Sequence, residues 1–200
     1  QYPTEISASG GRFVINDDGD AYDNHEVLWR YPETTMTWMS SLTNSYGFDL
    51  HGSPVPQRRL GIYFHGVLGT MWSNYNEHWI VPEGKAMNDF IKPEVAAKKQ
   101  AKDYPERALY NLGDLTPIED KIPSSPGQEF EWIECIKTRQ QPSCTPDYHS
   151  RINVPIVLRL LALKLGSTVR FDPATQKIVG DSVAAKLAVP EYRSPWKFPK

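Results

Sequence analysis

Two pairs of short strand-like segments are joined by connections of only a few residues, and this constrains the fold of the 200-residue chain more than any other feature. Glu26-Val27-Leu28-Trp29-Arg30-Tyr31 and Thr35-Met36-Thr37-Trp38-Met39 flank Pro32-Glu33, which reads as a hairpin turn. Leu60-Gly61-Ile62-Tyr63-Phe64-His65 and Thr70-Met71-Trp72 likewise surround Gly66-Val67-Leu68-Gly69, and Trp79-Ile80-Val81 follows. Strands joined this closely pair antiparallel, because a parallel pair needs a long crossover. At the front, Glu5-Ile6-Ser7-Ala8-Ser9 alternates, Gly10-Gly11 interrupts it as a bulge, and Arg12-Phe13-Val14-Ile15 resumes as strand. Asn16-Asp17-Asp18-Gly19-Asp20 is a turn by composition.

The end of the chain changes period. Ser124-Ser125-Pro126 opens a helix carrying Phe130, Ile133 and Ile136 at helical spacing, with Pro142 beyond its end. A second helix begins near Tyr148 and carries Ile152, Ile156, Leu160, Leu163 and Leu165 up to Gly166, a residue suited to the C′ position. Pro155 is expected to kink it or to mark a late start. Thr168-Val169-Arg170-Phe171 reads as a strand, and Asp181 as the N-cap of a helix over Val183–Leu187. Residues 82–126 read as a long polar excursion, helix-compatible only at 94–103. The order, mainly sheet and then helices, predicts an α+β fold: a large open, predominantly antiparallel sheet with helices on one face.

Composition narrows the partners. Hydrophobic residues at 40% and charged residues at 23% are ordinary globular values, and a chain this long buries roughly 70% of its unfolded surface as one large domain. The net charge of -2, with Lys98-Lys99, Lys197 and Lys200 scattered, offers no footprint for nucleic acid. No run approaches the ~20 apolar residues of a membrane span. Gln1-Tyr2-Pro3 leads directly into strand-like sequence without a signal peptide or a starting Met, which reads as a fragment or a processed chain. The compartment stays open between bacterial cytoplasm and, if an export signal preceded Gln1, periplasm. Cys135 and Cys144 are either two free thiols or a bridge across the Pro142 turn.

No catalytic or cofactor motif stands out. Gly10-Gly11 and Gly66…Gly69 lack the spacing and the strand-to-helix setting of a dinucleotide loop, so the chain is not expected to bind a cofactor. The five histidines show no paired ligand spacing, and Asp17, Asp18, Asp20 and Asp23 lack the register and closing Glu of a calcium loop, so no metal is expected. Two features suggest a substrate-side surface. His149, at the head of the second helix, is placed to project toward a cleft, or else is a surface or capping histidine. Tyr63 and Trp72, with Trp79 and Tyr75 nearby, are suited to stack on a sugar ring, or else to serve as sheet core or oligomer interface.

Phe130-Glu131-Trp132-Ile133-Glu134-Cys135-Ile136-Lys137-Thr138-Arg139-Gln140-Gln141-Pro142 resembles a segment of the glucose–fructose oxidoreductase, inositol dehydrogenase and rhizopine-catabolism (Gfo/Idh/MocA) family, its bacterial subgroup in particular. His149-Ser150-Arg151, the helix to Leu165-Gly166, Val169–Pro173, Val179-Gly180-Asp181 and Glu191–Trp196 continue the match. Ser7–Phe13 and Gly61–Thr70 look like strands of the same subgroup. The resemblance implies a two-domain enzyme that moves hydride between NAD or NADP and a sugar, polyol or related hydroxyl compound. Residues 1–200 would be its C-terminal substrate-side and oligomerisation domain. The partner would be an N-terminal Rossmann domain holding the glycine fingerprint, the Glu-Lys-Pro lysine and the Asp-x-x-x-His pair, none of which has a matching position here. His149 matches a family position at the helix head and is carried over as a substrate-side contact. The chain alone would be inactive, and the open sheet face would form a homo-oligomer. Two rival readings are an autonomous carbohydrate-binding module using Tyr63, Trp72 and Trp79, and a purely structural oligomerisation domain.

Overall fold

The computed structural model describes residues 1–42, 60–66, 69–74, 78–82, 110–111 and 125–197. In chain order the elements are β1 (Glu5–Gly11), β2 (Asn24–Arg30), β3 (Thr35–Ser41), β4 (Ile62–Gly66), β5 (Gly69–Ser73), β6 (His78–Pro82), β7 (Tyr110–Asn111), α1 (Gln128–Thr138), α2 (Pro146–Leu165), β8 (Val169–Asp172), β9 (Lys177–Val179) and α3 (Ser182–Leu187). The chain divides into two compact units, one of residues 1–43 and 124–200, the other of residues 44–123. The first holds a five-stranded sheet ordered β3-β2-β1-β8-β9, the second a four-stranded sheet ordered β4-β5-β6-β7. Every pairing is antiparallel, so the α+β reading holds.

The core of the first unit lies between its sheet and α2. Alternation puts Ile6, Val27 and Trp29 on the face that meets Leu158, Leu161 and Ala162, with Val169 and Phe171 of β8 closing the cluster. The Trp29 indole N–H donates to the carbonyl of Pro155 at 3.0 Å, tying β2 to α2. Pro155 therefore neither delays nor ends the helix. Thr145 is the N-cap, its hydroxyl accepting from Tyr148 N at 3.1 Å; Pro146 starts the first turn, and Gly166 closes the helix at φ 61°. The carbonyl that Pro155 leaves without a donor belongs to Arg151, an exposed residue, so solvent can satisfy it.

Several local expectations are corrected. β1 runs unbroken through Gly10-Gly11, paired with His25 and Asn24 in regular register, so there is no bulge. A Cβ on Gly10 would lie 2.4 Å from the Asn24 carbonyl oxygen and from the His25 Cβ; this close approach is what glycine permits. Arg12–Ile15 is not a strand. Its amides turn onto the buried Asp23 carboxylate, which accepts from Phe13 N at 3.0 Å and from Val14 N and Ile15 N at 2.8 Å. Arg12 reaches Asp17 and the carbonyls of Ile15 and Gly19 from the other side. The first helix starts at Gln128 behind Gly127, later than Ser124-Ser125-Pro126 suggests. β9 was not foreseen; the Asp172 carboxylate shapes its turn by accepting from Ala174 N at 2.9 Å. Asp181 does cap α3, accepting from Val183 N and Ala184 N. The 94–103 segment lies outside the described residues.

The backbone N–H groups of Ile15 and Val14, foremost, hold the Asp23 carboxyl below its ordinary range. Replacing it leaves three part-buried amides without their acceptor at once. In Asp23→Ala, hydrogen exchange at Phe13, Val14 and Ile15 is expected to accelerate by roughly tenfold or more. Unchanged exchange would show that the loop holds itself without the carboxylate.

Candidate functional site

The four-stranded sheet brings two of the three expected substrate-side residues together. Tyr63 of β4 and Trp72 of β5 are direct cross-strand partners, and the backbone register sets Trp79 of β6 opposite Trp72. His65, two residues along β4, shares the Tyr63 face. The two rings stack with centroids 5.9 Å apart and planes 7° from parallel. His65 Nδ1 lies 3.0 Å from the Thr70 hydroxyl, its own cross-strand partner. Gly61 leaves room for the indole, since a Cβ there would come within 2.6 Å of Trp72 Nε1. The result is a half-exposed surface of flat rings edged by a hydroxyl and an imidazole. Such a surface can cover the C–H face of a polyhydroxylated molecule while polar edges reach its hydroxyls.

His149 lies in the other unit, in the first turn of α2, where its amide donates to the Thr145 carbonyl at 2.9 Å. Its side chain is exposed, so it is a surface residue at a capped helix end rather than a core histidine. Beside α2, a groove of about 440 Å³ runs between the helix, β9 and α3, lined by Val157, Leu161, Ile178 and Val189 with Ser150 and Asn153 at one side. Cys135 and Cys144 are both free thiols. Among the described residues, no group of three or more His, Cys, Asp or Glu side chains is placed to hold a metal, and no helix is long and apolar enough to cross a membrane.

The outer face of the five-stranded sheet, the open face expected to form a homo-oligomer, is mainly polar. Alternation puts Glu5, Ser7, Ser9, Arg30, Thr37 and Arg170 there, with Leu28, Met39 and Val179 as its apolar members. Glu5 is clamped between Arg170 and Arg30, at 3.3 and 3.2 Å, and these two hydrogen bonds hold its carboxyl below the ordinary range. Trp29 is spent in the core, and Trp38 shares its register with Val27 on the helix side.

One polar pair was not visible in the sequence. Both ring nitrogens of His25 and the Nε of Arg159 are buried without a hydrogen-bond partner. The two residues are 134 positions apart, so only folding brings β2 and α2 together around them. Burial first, and the Arg159 charge second, hold His25 below its ordinary pKa. The unfolded chain therefore binds a proton more readily than the folded one. Stability contributed by this group is present above the ordinary histidine value of about 6.5 and is lost as pH falls below it. The urea midpoint of the native chain is expected to decline between neutral pH and about pH 5.5, and less steeply in His25→Asn. Parallel declines in the two proteins would contradict this.

Residues 68–198 match the family described as "Oxidoreductase family, C-terminal alpha/beta domain". No curated protein matches the chain. Among solved structures, the chain is similar to an oxidoreductase from Agrobacterium radiobacter in complex with NAD+, L-tartaric acid and magnesium, at 13% identity and a TM-score of 0.50. The alignment covers 84% of this chain and 43% of that one. An NAD-binding protein from Listeria innocua aligns at 15% identity and a TM-score of 0.46, over 84% of this chain and 45% of that one. The chain thus spans less than half the length of these structures.

Proposed function

This chain belongs to the oxidoreductase family through its C-terminal α/β domain, and from that premise we propose that residues 1–200 form the substrate-side half of an NAD(P)-dependent oxidoreductase acting on a sugar, polyol or related hydroxyl compound. The family match over well more than half of the chain carries this reading, and the similarity in fold to part of an NAD+-bound oxidoreductase agrees with it. The dinucleotide and the proton-transfer groups belong to an N-terminal Rossmann domain of the same polypeptide. Nicotinamide supplies the hydride chemistry there. This chain's contribution is to bind and orient the substrate against it and to keep water out.

The residues divide that work by their chemistry. Tyr63 and Trp72 offer the ring surface for the carbon skeleton, with His65 and Thr70 at its polar edge. His149 offers an imidazole that can donate to or accept from a substrate hydroxyl. Oligomerisation remains part of the proposal, with Leu28, Met39 and Val179 the apolar contacts available on the outer sheet face.

The test uses the full-length polypeptide with NAD+ or NADP+ and a panel of aldoses, polyols and 2-hydroxy acids, followed by nicotinamide absorbance. Reduction of the dinucleotide by at least one polyhydroxylated compound is the expected result. Turnover confined to substrates without neighbouring hydroxyls would overturn the substrate class. A full-length protein that binds no dinucleotide would overturn the enzyme reading altogether.

A further inference from the structure

Helix α2 is apolar on two opposite sides, and only one of them is used within the first unit. Leu158, Leu161 and Ala162 are buried against the sheet. Ile152, Ile156 and Leu160 follow one another at four-residue spacing roughly 160° around the helix from that buried stripe, at about 100° per residue. They are 48%, 40% and 46% exposed. The second stripe faces away from the sheet, and an exposed apolar stripe of this kind marks a face that a further body covers. The neighbouring α1 repeats the pattern: it buries no residue, yet it presents Phe130 and Trp132 at 57% and 65% exposure.

We infer that the Ile152-Ile156-Leu160 stripe of α2 is the seat of the dinucleotide-binding domain of the same polypeptide. The inference rests on the proposed function for its occupant and on burial for its location. The chain spans 43% of an oxidoreductase whose fold it shares in part, and its family describes it as a C-terminal domain, so a further domain is the partner at hand. The polar outer sheet face, with its Glu5, Arg30 and Arg170 cluster, is a poorer seat than an apolar helix stripe. His149 lies three residues before Ile152 and falls on the same stripe, which sets it at the rim of the covered surface. A domain seated there would set the imidazole beside the boundary between the two domains. The location of the docking surface thus accounts for a substrate-side role at a helix end that is otherwise open to solvent.

The test is site-specific photocrosslinking in the full-length polypeptide. Ile156→benzoylphenylalanine and, separately, Leu160→benzoylphenylalanine are irradiated, with Val179→benzoylphenylalanine on the outer sheet face as reference. An unaltered urea midpoint of unfolding certifies that each variant is folded. The expected result is cross-linked peptides from the dinucleotide-binding domain at about tenfold the reference yield or more. Cross-links to a second copy, seen as a doubled mass, or to residues 44–123 would overturn the inference, and so would yields no higher than at Val179. A polypeptide that binds dinucleotide but fails this test removes only the docking surface. One that binds no dinucleotide removes the functional reading itself.

Discussion

On the proposed division of labour, the 200-residue chain alone is expected to bind NAD+ and NADP+ at least roughly a hundredfold more weakly than a polypeptide that also carries the dinucleotide-binding domain, and to show no hydride transfer. The expectation follows from where recognition of a pyrophosphate resides. A dinucleotide is held by a glycine-rich turn leading from a strand into a helix N-terminus, and neither glycine pair of this chain is built that way. Gly10-Gly11 is the end of β1 pressed against His25, and Gly66 and Gly69 face each other across the β4–β5 hairpin. On the proposed reading, a substrate on Tyr63 and Trp72 would have no hydride acceptor at reacting distance without a held nicotinamide. Effective molarity, which contributes roughly 7–11 kcal/mol to well-oriented reactions, is lost with it. Calorimetric titration of the isolated chain and of the full-length protein with both dinucleotides makes the comparison. Equal affinities would place a cofactor site inside residues 1–200.

The largest expected effect on stability is at Trp29. It is 3% exposed, packs among Ile6, Val27 and Leu158, and donates across the core to Pro155. Trp29→Ala removes a large buried ring and leaves a cavity between sheet and helix, at a cost of roughly 3–5 kcal/mol. For a chain of this size that corresponds to a fall in Tm of about 6–20 °C. Trp29→Phe keeps most of the apolar volume and loses the hydrogen bond, so its share of the loss is nearer to 1 kcal/mol. Trp38 provides the contrast. It is the cross-strand partner of Val27 but 42% exposed, and Trp38→Ala is expected to change stability by about 0.5 kcal/mol or less. Urea unfolding of the three variants checks the order; equal losses at Trp29 and Trp38 would mean that the core does not lie where the burial puts it.

The two hairpins were legible because their signal is local: alternation on either side of a short connection dictates antiparallel pairing, and β2–β3 and β4–β5 form as read. The Tyr63–Trp72 pairing follows from the same register. Contacts set across the sheet were not legible. Gly10-Gly11 looks like an interruption until His25 is seen against it, and Arg12–Ile15 has the composition of a strand, but the amides of Phe13, Val14 and Ile15 are captured by a carboxylate eight to ten residues on. Helix α2 shows the limit most clearly. Periodicity picks out Ile152, Ile156 and Leu160 as one apolar stripe, whereas the sheet is met by Leu158, Leu161 and Ala162. Both stripes satisfy the helical period, so period alone cannot choose between them. The family resemblance was legible in the order of motifs along the chain, and residues 68–198 match that family's C-terminal domain.

If this chain meets the substrate while another domain holds the cofactor, steady-state kinetics of His149→Ala and Tyr63→Ala in the full-length polypeptide should separate the two roles. KM for the hydroxyl substrate is expected to rise by roughly tenfold in each, the equivalent of about 1.4 kcal/mol of lost contact, while the dinucleotide dissociation constant stays unchanged. A weakened dinucleotide affinity with an unaltered substrate KM would reverse that division of labour.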